Sequence, residues 1–339
     1  MFEKTPDTTK LARLGAEYAY DERRCPIGGG DTTVVRDSDP KSKVVPIVLI
    51  HALALDRRMW DDVFDRLVAG GGGGGGDGDG NARDDVRMRM RVISYDLRGH
   101  GEAADAAAVA TSGQADVQAP VKDLEHLADD LRVLLDDCGV QQADIHGQSY
   151  GGAVAQYFAL KYPERTRSLG LITTAGQSQA SWVSRATRAE EARSVKPLMD
   201  ETLARWFSAE VIARDDEGVR YARSCLERIG VKNWAAAWRA MSGLNTLDKL
   251  DKLKDLSRGF KGPVLIVCGT QDASTGPEHM RRLRDAWEAC CSQGTGTGTE
   301  VGVVQYKELD PGVHMMALEQ GEALAKEILE FRRFVDGMD

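Results

Sequence analysis

Apolar runs and helical stripes alternate along most of this chain. Val44-Val-Pro-Ile-Val-Leu-Ile50 is a continuous apolar run, the pattern of a strand buried on both faces of a parallel sheet. Trp60, Val63, Phe64 and Leu67 then recur at helical spacing and predict a helix over 57–69. The same alternation gives strands over 91–96, 142–146, 167–173, 263–268 and 301–306, and helices over 121–138, 150–162 and 277–290. Residues 16–21 read as an early edge strand, followed by a polar connection over 24–43. Strands separated by helices argue a doubly wound, mostly parallel sheet. Between 176 and 258 no strand-like run occurs, only helical stripes such as Leu203, Trp206, Phe207 and Val211. That stretch is expected to be a helical cap inserted over the carboxyl ends of the sheet, with 1–175 and 259–339 forming the α/β core.

Two low-complexity tracts interrupt the pattern: seven glycines from Gly70 to Gly76, and Gly294-Thr-Gly-Thr-Gly-Thr299. Each follows a helix rather than a strand, and the first lacks the Lys and Ser/Thr of a phosphate loop, so both read as surface linkers.

The stretch with chemical promise is Gly147-Gln148-Ser149-Tyr150-Gly151, a G-x-S-x-G spacing between a strand and a helix. A serine on so tight a turn needs small residues two positions to either side. A serine hydroxyl is also a poor nucleophile without a base and an orienting acid. Strand 263–268 runs into Asp272, and strand 301–306 into a loop bearing His314. Taken singly, Asp272 reads better as a turn or helix N-cap residue, and His314 as a structural or solvated loop residue. Arriving at three strand ends in the order Ser149, Asp272, His314, they read as nucleophile, acid and base. Asp310, on the histidine's own loop, is the weaker choice of acid. The oxyanion donors are expected to be the backbone N–H groups of Leu53 and Tyr150. His51 and the turn Asp96-Leu-Arg-Gly-His-Gly101 read as supports for these loops.

His51, Trp60, Asp96-x-Arg-Gly-His-Gly101, the serine turn, Gly269-x-x-Asp272 and His314 with Glu319 together resemble the α/β-hydrolase superfamily over about 44–335. Within it, His51-Ala-Leu-Ala-Leu-Asp-Arg-Arg-Met-Trp60 and Ala204-Arg-Trp-Phe-Ser208 are similar to the 3-oxoadipate enol-lactonases, with Ala52 standing where that family carries glycine. The resemblance implies cleavage of a small ester or lactone, 3-oxoadipate enol-lactone among them, through an acyl-serine and without metal or cofactor. Alternatives are carbon–carbon bond hydrolysis or perhydrolysis on the same triad, or a hydrolase-fold ligand receptor that does not turn over.

An anionic substrate would want a cap cation, and Arg185, Arg188, Arg193, Lys196 and Arg205 are available. Gln148, Arg188 and Trp206 are the residues expected to touch substrate.

Composition removes other classes. The net charge of −9 disfavours nucleic acid and anionic membrane surfaces, and no run reaches the ~18 apolar residues of a membrane span. Cys25, Cys138, Cys225, Cys268, Cys290 and Cys291 show no metal or redox spacing, which suits a reducing, cytoplasmic setting.

Overall fold

The computed structural model describes residues 21–27, 31–69, 90–102, 120–253, 259–291 and 302–338. One eight-stranded sheet runs through it in the order β1-β2-β4-β3-β5-β6-β7-β8. The strands are β1 (Asp21–Ile27), β2 (Asp31–Asp37), β3 (Ile47–Ile50), β4 (Val92–Tyr95), β5 (Ala143–Gln148), β6 (Thr166–Ile172), β7 (Val264–Gly269) and β8 (Val304–Leu309). β1 and β2 are antiparallel to their neighbours and all other pairings are parallel. β3, β4, β5 and β7 are buried along their whole length, β3 and β7 as apolar runs and β5 with Asp144, His146 and Gln148 buried in it.

Parallel register puts the chemistry on one edge. Ile50 is level with Gly147, Gln148 with Ile172, Ile172 with Val267, and Gly269 with Leu309. The segments that follow β3, β5, β6, β7 and β8 therefore emerge together. The helix Tyr150–Lys161 leaves β5 at mid-sheet with ten buried residues, and packs against Leu124–Asp137. Asp123 caps that second helix, its carboxylate accepting from the His126 N–H at 2.8 Å. Helix Asp61–Val68 packs against the closing helix Gly321–Asp336, and Pro277–Cys291 against β7 and β8.

Six helices, Ser181–Ala192, Met199–Trp206, Ala209–Arg214, Glu217–Arg228, Val231–Ser242 and Thr246–Leu253, lie between β6 and β7. Trp234 is fully buried among them and donates to the Arg185 carbonyl at 3.0 Å.

Two expectations need correcting. The stretch 24–43 is not a connection, since most of β1 and all of β2 fall in it. Its charges hid the strands, because they are neutralised by partners elsewhere in the chain. Arg36 bonds Asp61 at 2.7 Å and Asp65 at 3.0 Å, and Asp37 takes a two-pronged pair from Arg91 at 2.7 and 3.1 Å. The last strand begins at Val304, three residues later than the 301–306 pattern suggested. The glycine-rich tracts, residues 16–20 and residues 254–258 lie outside the described residues.

Candidate active site

Ser149 stands between β5 and its helix with φ 54° and ψ −111°, outside the ordinary regions for a side chain. Its neighbours explain how the turn is tolerated. A Cβ on Gly147 would lie 2.1 Å from the Gly151 carbonyl oxygen, and one on Gly151 would lie 2.1 Å from that of Ile50. Only glycine fits either place. The Ser149 N–H donates to the Ile172 carbonyl at 2.9 Å, which ties the turn to β6.

His314 follows β8 and Asp272 follows β7, and both are buried. His314 Nε2 lies 3.0 Å from Ser149 Oγ, and Nδ1 lies 2.9 Å from Asp272 Oδ2. A carboxylate only accepts, so the ring proton sits on Nδ1 and Nε2 is left to accept the serine proton. Asp272 Oδ1 accepts from the N–H groups of Ser274 (2.7 Å) and Thr275 (3.0 Å), and Oδ2 also accepts from Thr275 Oγ1 (2.9 Å). Burial alone would raise the Asp272 pKa. The imidazole and these N–H donors outweigh it, and the carboxyl titrates below its usual range. The two loops are joined by Thr270 N–H to Leu309 O (3.1 Å) and Gln271 N–H to Gly312 O (2.8 Å). Asp310 instead accepts from Thr270 Oγ1.

The Tyr150 N–H is the first of its helix and has no intrahelical acceptor. Among the described residues no protein acceptor meets the Leu53 N–H. Leu53 and Tyr150 line one cavity together with Ser149 and His314. The Leu53 loop is held by Ala52 N–H on Met59 Sδ (3.1 Å) and by His51, whose Nδ1 donates to the Ala52 carbonyl (2.8 Å) while Nε2 accepts from Leu97 N–H (2.8 Å). Burial, with His100 beside it, drives the His51 pKa down to about 3, so the ring is neutral as this bonding needs. The positive φ of this loop (65°) falls on Ala54, not Ala52, so position 52 has no conformational need for glycine.

The cavity opens over Ser149 with a volume of about 430 Å³, its mouth included. Trp182, Trp206, Trp238 and Met241 give it apolar walls, and Arg185 gives it a cation. Of the residues expected to touch substrate, Trp206 lines this cavity. The other two do not. Gln148 is fully buried and its amide is bonded to the histidine loop. Arg188 is exposed and clamped on Glu201 at 2.8 and 3.1 Å. Sequence offered five basic residues without separating them, and gave no sign of Thr275 or Ser274. Among the described residues no three His, Cys, Asp or Glu side chains cluster as a metal site, and no helix is long and apolar enough to cross a membrane.

Residues 45–319 match the model of the alpha/beta hydrolase fold family, and the chain belongs to that family. Among curated proteins it is similar to 3-oxoadipate enol-lactonase 2 of Acinetobacter baylyi, 28% identical over 54% of this chain and 62% of that one. It is also similar to the pimeloyl-[acyl-carrier protein] methyl ester esterase of Neisseria meningitidis, 27% identical over 70% of this chain and 81% of the other. The chain spans less than two-thirds of the length of the two enol-lactonases it matches. The solved enol-lactonase of Burkholderia xenovorans shares the fold with a TM-score of 0.70, at 23% identity over 91% of this chain and 99% of that one.

Proposed function

We propose that this α/β-hydrolase is a serine esterase or lactonase whose substrates are small and carry a carboxylate. The observation behind this reading is the continuous relay from Ser149 Oγ through His314 to Asp272, ending at a cavity that Arg185 also lines. Ser149 Oγ attacks the carbonyl carbon while His314 Nε2 takes its proton. The oxyanion forms between the Leu53 and Tyr150 N–H groups, which are worth about 3 kcal/mol each at comparable sites. On collapse the C–O bond to the leaving oxygen breaks, and His314 returns its proton to that oxygen. Water then attacks the acyl carbon as His314 Nε2 takes its proton, and on collapse the bond to Ser149 Oγ breaks and His314 returns that proton to Oγ, releasing the acid. Asp272 stays ionised throughout and holds the imidazolium.

The helices between β6 and β7 act in this reading as a cap, supplying the tryptophans and Arg185. Arg185 faces a substrate carboxylate. Likeness to the enol-lactonases makes 3-oxoadipate enol-lactone the first substrate to try. Six buried cysteine thiols fit a reducing, cytoplasmic setting. Pre-steady-state hydrolysis of a chromogenic acetyl ester is the test. The wild type should release a burst equal to the enzyme concentration and Ser149→Ala none. Equal traces from both would end the proposal.

A further inference from the structure

The main-chain carbonyls of the two reacting residues are both gripped by one dipeptide. Thr173 and Thr174 directly follow β6. Thr173 Oγ1 donates to the His314 carbonyl at 2.9 Å, and Thr174 Oγ1 donates to the Ser149 carbonyl at 2.7 Å. Gln148, from β5, sets its Nε2 amide on the same His314 carbonyl and accepts from the Ala317 N–H at 3.3 Å. All three side chains are essentially fully buried.

Hydrogen bonds that merely satisfy buried carbonyls would not need this arrangement. One donor suffices for a buried C=O, yet His314 receives two, one from the end of β5 and one from the residue after β6. Two donors from separate segments fix the direction of the carbonyl as well as its polarity. The two adjacent threonines serve different partners, Thr173 the histidine loop and Thr174 the serine turn. Thr173 does so at φ 39°, a left-handed conformation uncommon for a β-branched residue. Its own N–H is fixed to the Val267 carbonyl at 2.9 Å, so the dipeptide is also tied to β7. Room for Thr174 is supplied by Gly152, where a Cβ would stand 2.7 Å from the Thr174 Cβ.

We propose that Thr173, Thr174 and Gln148 are positioning residues: together they set the separation of Ser149 Oγ and His314 Nε2. The inference rests on the proposed Ser–His–Asp chemistry. Thr173 and Gln148 lie outside the lining of the cavity over Ser149, while Thr174 is part of it. The bonds they make act through the backbone of Ser149 and His314, and a displacement of about 1 Å at a reacting pair can cost of order a hundredfold in rate.

The test measures kcat and KM on a chromogenic ester, and the rate of Ser149 labelling by a fluorophosphonate, for wild type, Thr173→Val, Thr173→Ser, Thr174→Val and Gln148→Met. Melting temperature is followed alongside, and Ser149→Ala gives the labelling blank. Thr173→Val and Gln148→Met should lose about tenfold to a hundredfold in kcat and in labelling rate, with KM within about twofold of wild type. Thr174→Val should fall in kcat and labelling rate in the same way, with its KM free to move because Thr174 also lines the cavity. Thr173→Ser keeps the donor and should retain activity close to wild type. Should a valine variant fail to fold, Thr173→Ser and the near-isosteric Gln148→Met still decide. If labelling depends on Ser149 in wild type but proceeds at wild-type rate in Thr173→Val and Gln148→Met, the positioning role is overturned and the chemistry stands. The same holds if Thr173→Ser fails as badly as valine. Absence of Ser149-dependent labelling in wild type would overturn the chemistry, and the positioning role with it.

Discussion

The guanidinium carbon of Arg185 lies 4.5 Å from the centroid of the Trp238 ring, on the wall of the cavity over Ser149. No ion pair within 4 Å engages Arg185 among the described residues, whereas Arg188, one turn along, is held by both oxygens of Glu201, a carboxylate that Arg205 also approaches at 3.8 Å. Burial first, then repulsion from Arg205 and Arg188 set against the pull of Glu201, brings the Arg185 pKa down to about 10. A cation kept short of a counter-ion is a cation available to a ligand. Arg185→Met should reduce kcat/KM for carboxylate-bearing esters about tenfold to a hundredfold, and leave neutral esters of the same size nearly unchanged. Arg185 is charged below its pKa, so the wild-type preference should hold through neutrality and fade as pH rises through about 10. A panel of matched neutral and anionic esters reads both. Equal losses on the two series would remove Arg185 from substrate selection.

Asp272→Asn tests the acid. The amide leaves a donor where Nδ1–H needs an acceptor, and the imidazole loses the tautomer that accepts from Ser149. A fall in kcat of about a thousandfold to ten-thousandfold is expected, as for other triads so altered. Stopped-flow acylation measures it, and a change below about tenfold would show that Asp272 does not orient His314.

Gly151→Ala tests the steric reading of the serine turn. The added Cβ would fall 2.1 Å from the Ile50 carbonyl oxygen and 2.7 Å from that of His51, both main-chain atoms. Strain of this kind typically costs about 1–3 kcal/mol, and it should appear as a lower urea midpoint together with slower acylation. An unchanged midpoint would mean that the turn yields.

Three histidines predict the response to acid. Burial holds His51 near about 3, and His100 and His146 near about 4, against an ordinary value of 6.5. Below that ordinary value the unfolded chain binds more protons than the folded one. The stability contributed by these neutral rings is therefore complete above about pH 6.5 and is lost as pH falls through about 4. Each ring contributes up to about 1.4 kcal/mol per pH unit within that window. His146→Asn should flatten the dependence of unfolding free energy on pH by about one proton between pH 6 and 4.5. Parallel curves for variant and wild type would show His146 to be protonated in the fold.

The sheet's central strands and the serine turn were legible because each rests on a local rule. Ile47–Ile50 and Val264–Gly269 are apolar runs, and Gly147 and Gly151 are sterically forced. Asp272 and His314 were legible from order along the chain, since a parallel sheet brings successive strand ends to one edge. β1 was hidden by four charges in seven residues, a pattern that reads as loop until Arg57 and its other partners are placed. Gln148 was misjudged for another reason. Position 148 is fixed by the turn, but whether its amide faces the cavity or the histidine loop depends on how far β8 and its loop lean over β5. Arg185 and Arg188 present the same difficulty on a helix. They sit three residues apart, and the packing of Ser181–Ala192 on Val231–Ser242 decides which of them looks inward.

The Met315 N–H donates to the Trp206 carbonyl at 2.9 Å, one residue after the base and at the end of helix Met199–Trp206. Trp206 also lines the cavity. On the proposed chemistry, ligand occupancy and the alignment of His314 share a mechanical linkage one peptide long. A molecule that displaced the Trp206 ring would then bear on the main chain beside His314, and a poorly shaped guest would be penalised twice, in how it binds and in how fast it reacts.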